Sequence, residues 1–225
     1  MFQKIDTEGT MLPLSLINWG TLICIIDFTV SSVDRSGHGV RFDIVNDAVG
    51  WLMIGTALLR MRNVWANQHH RIVMMFCIVM TGINLCIALI NHIVYSAPML
   101  LELLFGIIDI VTMGAAIMFA FAMQRLCTEI ELPDVARRWR LTAHLMMFLW
   151  ILPTLMLWLT GLVMMIAGAE GRFTEYNTPL ACGFVLVSLL IAITPMVYFG
   201  IATYHMKFAL MERREAERFQ SELAP

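Results

Sequence analysis

Charge is what this sequence has least of. Asp, Glu, Lys and Arg make up 14% of its 225 residues, against about a quarter in an ordinary soluble domain. With 59% hydrophobic residues and a mean hydropathy of +0.75, that scarcity places the chain in the membrane class. A basic stripe with interleaved aromatics is also missing, and at a formal net charge of -2 a nucleic-acid partner has no electrostatic footprint. The cysteines Cys24, Cys77, Cys86, Cys127 and Cys182 stand singly in apolar segments. Without a C-x-x-C pair or matching His spacing they make no zinc frame and read as small buried hydrophobes. No G-x-S-x-G, H-E-x-x-H or Walker glycine loop occurs, so neither an enzyme nor a cofactor is indicated. The opening MFQKIDTEGTMLP has Asp6 and Glu8 beside Lys4 where a signal peptide needs a basic region and a small-residue cleavage site, so the N-terminus is expected to be retained.

What the sequence does have is long apolar runs. A helix needs roughly 20 mostly apolar residues to cross hydrocarbon, and Leu12 to Val30, Ile72 to Tyr95, Met99 to Met123, Leu145 to Ala167 and Leu180 to Thr203 meet that length. A sixth segment, Phe42 to Met61, reaches it only if Asp43, Asn46 and Asp47 sit at the outer interface and Arg60 snorkels inward. Between Val49 and Leu59 only eleven residues are free of charge or amide, a length also suited to a re-entrant piece. The fold class is therefore all-α: a polytopic integral membrane helical bundle of six transmembrane helices, the alternative being five plus one re-entrant segment. Residues 1-206 form one transmembrane domain. Residues 207-225 continue as a charged cytoplasmic helical tail with Arg213/Glu217 and Arg218/Glu222 at i, i+4 spacing. Pro133 opens a basic lead-in, PDVARRWR, to the fifth helix, Thr178 and Pro179 open the sixth, and Pro153 and Pro195 lie inside helices, where they are expected to kink them.

Lys and Arg concentrate in cytoplasmic connections. With six spans they divide 12 to 3, Arg35, Arg41 and Arg172 forming the poor side; with five, Arg35 and Arg41 exchange sides with Lys4 and the division is 13 to 2. Either count puts the middle loop and the C-terminus inside. Six spans put both termini in the cytoplasm of a cell whose inner membrane holds the protein.

The stretch FDIVNDAVGWLMIGTALLRM resembles the FD-x-x-x-D-x-x-G-aromatic signature of uncharacterised small polytopic bacterial membrane proteins. Asn46 stands where that signature often has Pro, and Trp51 fills the aromatic place. The resemblance implies a multi-pass membrane protein and brings no assigned activity with it. A second short match, Ser36-Gly37-His38, occurs in membrane phosphatidic-acid phosphatases, but their Lys and Arg-Pro element and downstream Arg with a His/Asp pair are lacking here.

Polar residues inside the apolar runs are the candidate site. Counting outward from a tight turn near Ser96 brings Asn84 level with Asp109, Thr81 with Thr112, and His92 with Glu102, so the third and fourth helices can face each other through two polar stripes. Asp109 matters most, because an acid within a span costs on the order of 3 kcal/mol and needs a partner or a wet cavity. An outer mouth is expected from Asp43 and Asp47 with His92 and Glu102. In a helix running from Phe42, Asp43, Asp47, Gly50 and Ile54 would share one stripe, and the acids would meet the positive end of the macrodipole. His69, His70, His144 and His205 gather at cytoplasmic helix ends. Paired histidines such as His144 and His205 can ligate haem or a metal, although water competes at helix ends.

Three functions stay open. One is small-solute or ion transport, proton-linked, through the site between the third and fourth helices. The second is a non-catalytic membrane subunit or scaffold with other membrane subunits as partners beside the lipid bilayer. The third is a membrane haem or metal-binding redox protein.

Overall fold

A computed structural model describes residues 7–25, 29–33, 39–43, 47–93, 99–166 and 178–223. It is helical, with one small hairpin. The order is α1 (Thr7–Ile25), β1 (Thr29–Val33), β2 (Gly39–Asp43), α2 (Asp47–Met61), α3 (Gln68–Ile93), α4 (Met99–Glu129), α5 (Pro133–Met146), a π turn (Met147–Ile151), α6 (Leu152–Ile166) and α7 (Thr178–Leu223). Since the π turn joins α5 to α6 without a break, the described residues form six helical rods.

Among the described residues three helical stretches are long and apolar enough to cross a membrane: Gln68–Ile90, Leu103–Glu129 and Pro133–Thr160. The apolar part of α1, Gly9–Cys24, is shorter.

Two expected helices are corrected. The run from Leu12 does not reach Val30 as a helix: α1 stops at Ile25, and Thr29 and Val30 belong to β1. Nor does Phe42 to Met61 form one helix, because Gly39–Asp43 is the second strand and α2 begins at Asp47. The cause is local. TVSSV and GVRFD carry the β-branched residues Thr29, Val30, Val33 and Val40, which suit a pleated backbone. Thr29 pairs with Asp43 and Val33 with Gly39 in antiparallel register. Asp43 therefore closes a strand, and the stripe drawn through Asp43, Asp47, Gly50 and Ile54 is broken at its first member.

α1 and α2 pack most closely, at small residues. A Cβ placed on Gly20 would meet the Gly50 carbonyl oxygen at 2.7 Å, and one on Gly50 would meet the Gly20 carbonyl oxygen at 2.7 Å. The Cys24 thiol lies 3.8 Å from the Asp47 carbonyl oxygen, so the pair runs antiparallel. At its other end α2 hands over to α3. His70, 1% exposed, holds its Nε2 3.1 Å from the Met61 carbonyl oxygen, with its ring 5.4 Å from Trp65. Asn67 caps α3, its side-chain oxygen accepting the His69 backbone N–H at 2.8 Å.

α4 ends in a Schellman turn. Leu132 N–H reaches the Cys127 carbonyl at 2.8 Å and Glu131 N–H the Thr128 carbonyl at 3.2 Å, with Glu131 at φ 60, the left-handed position usually given to glycine. Pro133 then opens α5 in its first turn, where its missing N–H costs nothing. Further along, the Leu152 N–H bonds to the Met147 carbonyl, a π-type step one residue before Pro153. The bundle centre is aromatic: Trp139 of α5 meets Phe119 of α4 at 5.9 Å and Phe199 of α7 at 5.4 Å, both edge-on. Lys207 Nζ donates to Ser15 Oγ at 3.2 Å, and Arg213 Nη1 to the Ile130 carbonyl at 2.6 Å. These bonds fasten α7 to α1 and to the α4–α5 turn.

Candidate functional site

α3 meets α4 through a short polar ladder. Asn84, buried on α3, donates from Nδ2 to Thr112 Oγ1 of α4 at 2.7 Å and lies 2.8 Å from the Met80 carbonyl of its own helix. One turn away, Thr81 donates its hydroxyl to the Cys77 carbonyl at 2.8 Å, and Thr112 donates to the Ile108 carbonyl at 2.8 Å. Cys77 adds a thiol 3.3 Å from the Ala115 carbonyl, across the two helices. The hydroxyl protons of both threonines are thus held by their own helices. What they offer to a guest is lone pairs.

Thr81 and Thr112 also border a partly open cavity of about 280 Å³, close to the small end of ligand pockets. Its wall draws on every rod: Ile17 and Cys24 from α1, Trp51 and Ile54 from α2, Cys77 and Met80 from α3, Met113 and Phe119 from α4, Met146 and Trp150 from the α5 and π segment, and Met196 and Phe199 from α7. No Asp, Glu, Lys, Arg or His is among the described lining residues. The wall is methionine, aromatic and aliphatic, with three threonine hydroxyls (Thr21, Thr81, Thr112) and two thiols (Cys24, Cys77). Such a space offers mainly apolar contact and a few acceptors for a donor group. It offers a charge no counter-charge.

The other expected site residues fall elsewhere. Asp109 lies three residues before Thr112, is exposed on the side of α4, and makes no hydrogen bond or ion pair with a described residue; it does not line the cavity. The hydrogen bond from Asn84 therefore reaches Thr112, and Asp109 stands outside it. Asp47 starts α2 half-buried. The side chains of Asp43, His92 and Glu102, members of the expected outer mouth, lie outside the described ones. The four histidines do not converge. His144 is exposed, with Nδ1 2.7 Å from the Arg140 carbonyl and its ring edge-on to Phe121 at 6.0 Å. His205 packs on Tyr204 at 6.0 Å, and His70 belongs to the α2–α3 junction. Among the described residues no three His, Cys, Asp or Glu side chains gather as a metal site.

Residues of the quoted signature mark successive structural positions. Phe42 and Asp43 end β2, Asp47 starts α2, Gly50 makes the contact with Gly20, and Trp51 lines the cavity. Reasoning from sequence missed the cavity itself. The available signal was that Gly20, Gly50 and Trp51 share an approach of two helices while methionines and aromatics recur on the others.

In comparisons with known proteins the chain matches no family model, no curated protein and no solved structure.

Proposed function

We propose that this is a six-span inner-membrane protein, both termini cytoplasmic, that binds a small neutral and mainly apolar solute inside its helix bundle as the substrate site of a transporter. The observation carrying this reading is the 280 Å³ cavity, walled by all six rods and with no charged side chain among its described lining residues. The polar ladder of Thr81, Asn84 and Thr112 fits as its selective edge: the threonine oxygens accept, so a solute with one hydroxyl or N–H donor is favoured over a bare hydrocarbon. An ion fits poorly, because removing its hydration without a partner costs far more than any apolar contact returns.

Six crossings are supported by the path of α2. It starts beside the end of α1, where Cys24 approaches Asp47, and ends beside the start of α3, where His70 approaches Met61. A re-entrant segment would leave on the side it entered. At about 22 Å for fifteen residues, α2 is short for the hydrocarbon layer, and Asp47 and Arg60 at its ends then sit near the two interfaces.

The test is occupancy. Protein purified from membranes is extracted, and the released small molecules are identified by mass spectrometry beside an Ala116→Trp variant that fills the cavity. A neutral compound should accompany the wild type and be missing from the folded variant. Equal recovery from both proteins would remove the cavity as its site.

A further inference from the structure

A second opening lies at the charged end of the α4–α5 hairpin, outside the cavity and independent of it. We propose that this groove binds the phosphate of an anionic phospholipid headgroup, with the acyl chains lying along the adjoining apolar strip. The groove measures about 620 Å³ and includes Gln124 and Thr128 of α4, Glu131 of the turn, and Arg137 and Arg140 of α5. Its chemistry is arranged across the two helices. With the Gln124 amide oxygen turned toward α5, Arg140 donates to it from Nη2 at 3.1 Å and from Nε at 3.3 Å. The guanidinium is thereby held across the groove with Nη1 still free to donate. Arg137 sits one turn earlier on the same face of α5. Two guanidinium groups on one face suit the bidentate recognition of phosphate oxygens. Glu131 is the acid among the described lining residues, leaving them a formal excess of one positive charge from Arg137 and Arg140.

The apolar neighbours favour a lipid over a free anion. From Thr128 and Gln124 the stripe on α4 continues to Phe121, and from Arg137 the stripe on α5 continues to Leu141, 37% and 47% exposed. Both helices lie in stretches long and apolar enough to cross a membrane, Leu103–Glu129 and Pro133–Thr160. A guanidinium pair followed by an exposed apolar strip matches an amphiphile's order of parts, and basic pockets at this level of a membrane protein attract anionic headgroups. Inorganic phosphate would use only the polar half.

The full chain, reconstituted in phosphatidylcholine bilayers, is examined by electron spin resonance with spin-labelled phosphatidylglycerol and spin-labelled phosphatidylcholine. Wild type should hold the anionic label preferentially. Arg137→Gln/Arg140→Gln should lower that preference by about thirtyfold, each cation near the surface contributing about fivefold. Arg60→Gln/Arg71→Gln, which removes equal charge from exposed positions outside the groove, should keep it. Glu131→Gly places the usual residue in the left-handed turn position and deletes the opposing carboxylate, so preference should rise. Thermal melts establish that each variant is folded. Equal losses in the two double variants would reduce the effect to general surface charge and overturn the site, as would an unchanged preference in Arg137→Gln/Arg140→Gln. A protein without preference for either lipid that nonetheless binds inorganic phosphate, against chloride at equal ionic strength, would assign the groove to a soluble anion and overturn the lipid source.

Discussion

Gly20 and Gly50 touch backbone to backbone, each leaving only 2.7 Å between the other's carbonyl oxygen and the place where its own Cβ would be. The contact sets how closely α1 and α2 approach, and therefore where Trp51, one residue beyond Gly50, meets the cavity. Small residues serve this purpose in membranes because helix association there relies on packing instead of a hydrophobic driving force. Gly20→Ala and Gly50→Ala are each expected to lower stability by about 1–3 kcal/mol through overpacking. Gly82, on α3 with nothing within 4 Å of its would-be Cβ, is the matched control. Gly82→Ala should be neutral or slightly stabilising in the same thermal melts, and equal effects at the three positions would refute a packing origin.

The bond from Asn84 to Thr112 is open to a double-mutant cycle. Asn84→Leu and Thr112→Val each remove one side of the 2.7 Å contact, while the Met80 carbonyl and the Ile108 carbonyl keep their helical partners. A coupling of about 0.6 kcal/mol is expected, the average for hydrogen bonds between membrane helices. A coupling indistinguishable from zero would mean that the pair adds nothing beyond packing.

Topology has a direct reading. In a Cys-less background, His38→Cys lies between β1 and β2, on the connection that six spans put on the non-cytoplasmic side. A membrane-impermeant thiol reagent should label it in intact cells. Labelling only after the cytoplasmic face is opened would refute the six-span arrangement.

Much of the helical framework was legible because length and hydropathy report the solvent directly: α3, α4 and the α5–α6 rod lie where apolar runs exceed roughly 20 residues. Pro133 and Thr178 likewise marked helix starts, since their cues are local. The hairpin was not legible. Val30, Val40 and Phe42 count as apolar in a hydropathy sum whether the backbone is helical or extended, so the sum carried the neighbouring helices across them. Nor could the cavity be read, because it is the space that Met80, Met113, Trp150 and Phe199 leave between rods whose rotation the sequence does not state. Asp109 illustrates the same difficulty. It lies three residues from Thr112, yet about 60° away around the helix at 100° per residue, and that offset separates a residue facing α3 from one facing out of the described bundle.

That offset makes Asp109 the sharpest test between a neutral solute and an ion. A proton or cation relay needs a carboxylate that exchanges with an aqueous path, and Asp109 would then be essential for flux. A cavity whose described lining carries no charge needs nothing from it. On the second account Asp109→Asn should leave the co-purified solute unchanged. Asp109→Leu should also retain it while favouring membrane insertion by on the order of 3 kcal/mol, the cost of an acid in a span. Proteoliposomes of wild type, Asp109→Asn and Ala116→Trp, loaded with a pH-sensitive dye and given a pH gradient, separate the accounts. The neutral-solute site predicts the same slow proton leak in all three and solute loss only in Ala116→Trp. Proton flux present in wild type and abolished by Asp109→Asn would return the carboxylate to the centre of the mechanism, since the near-isosteric amide preserves shape and removes only the exchangeable charge.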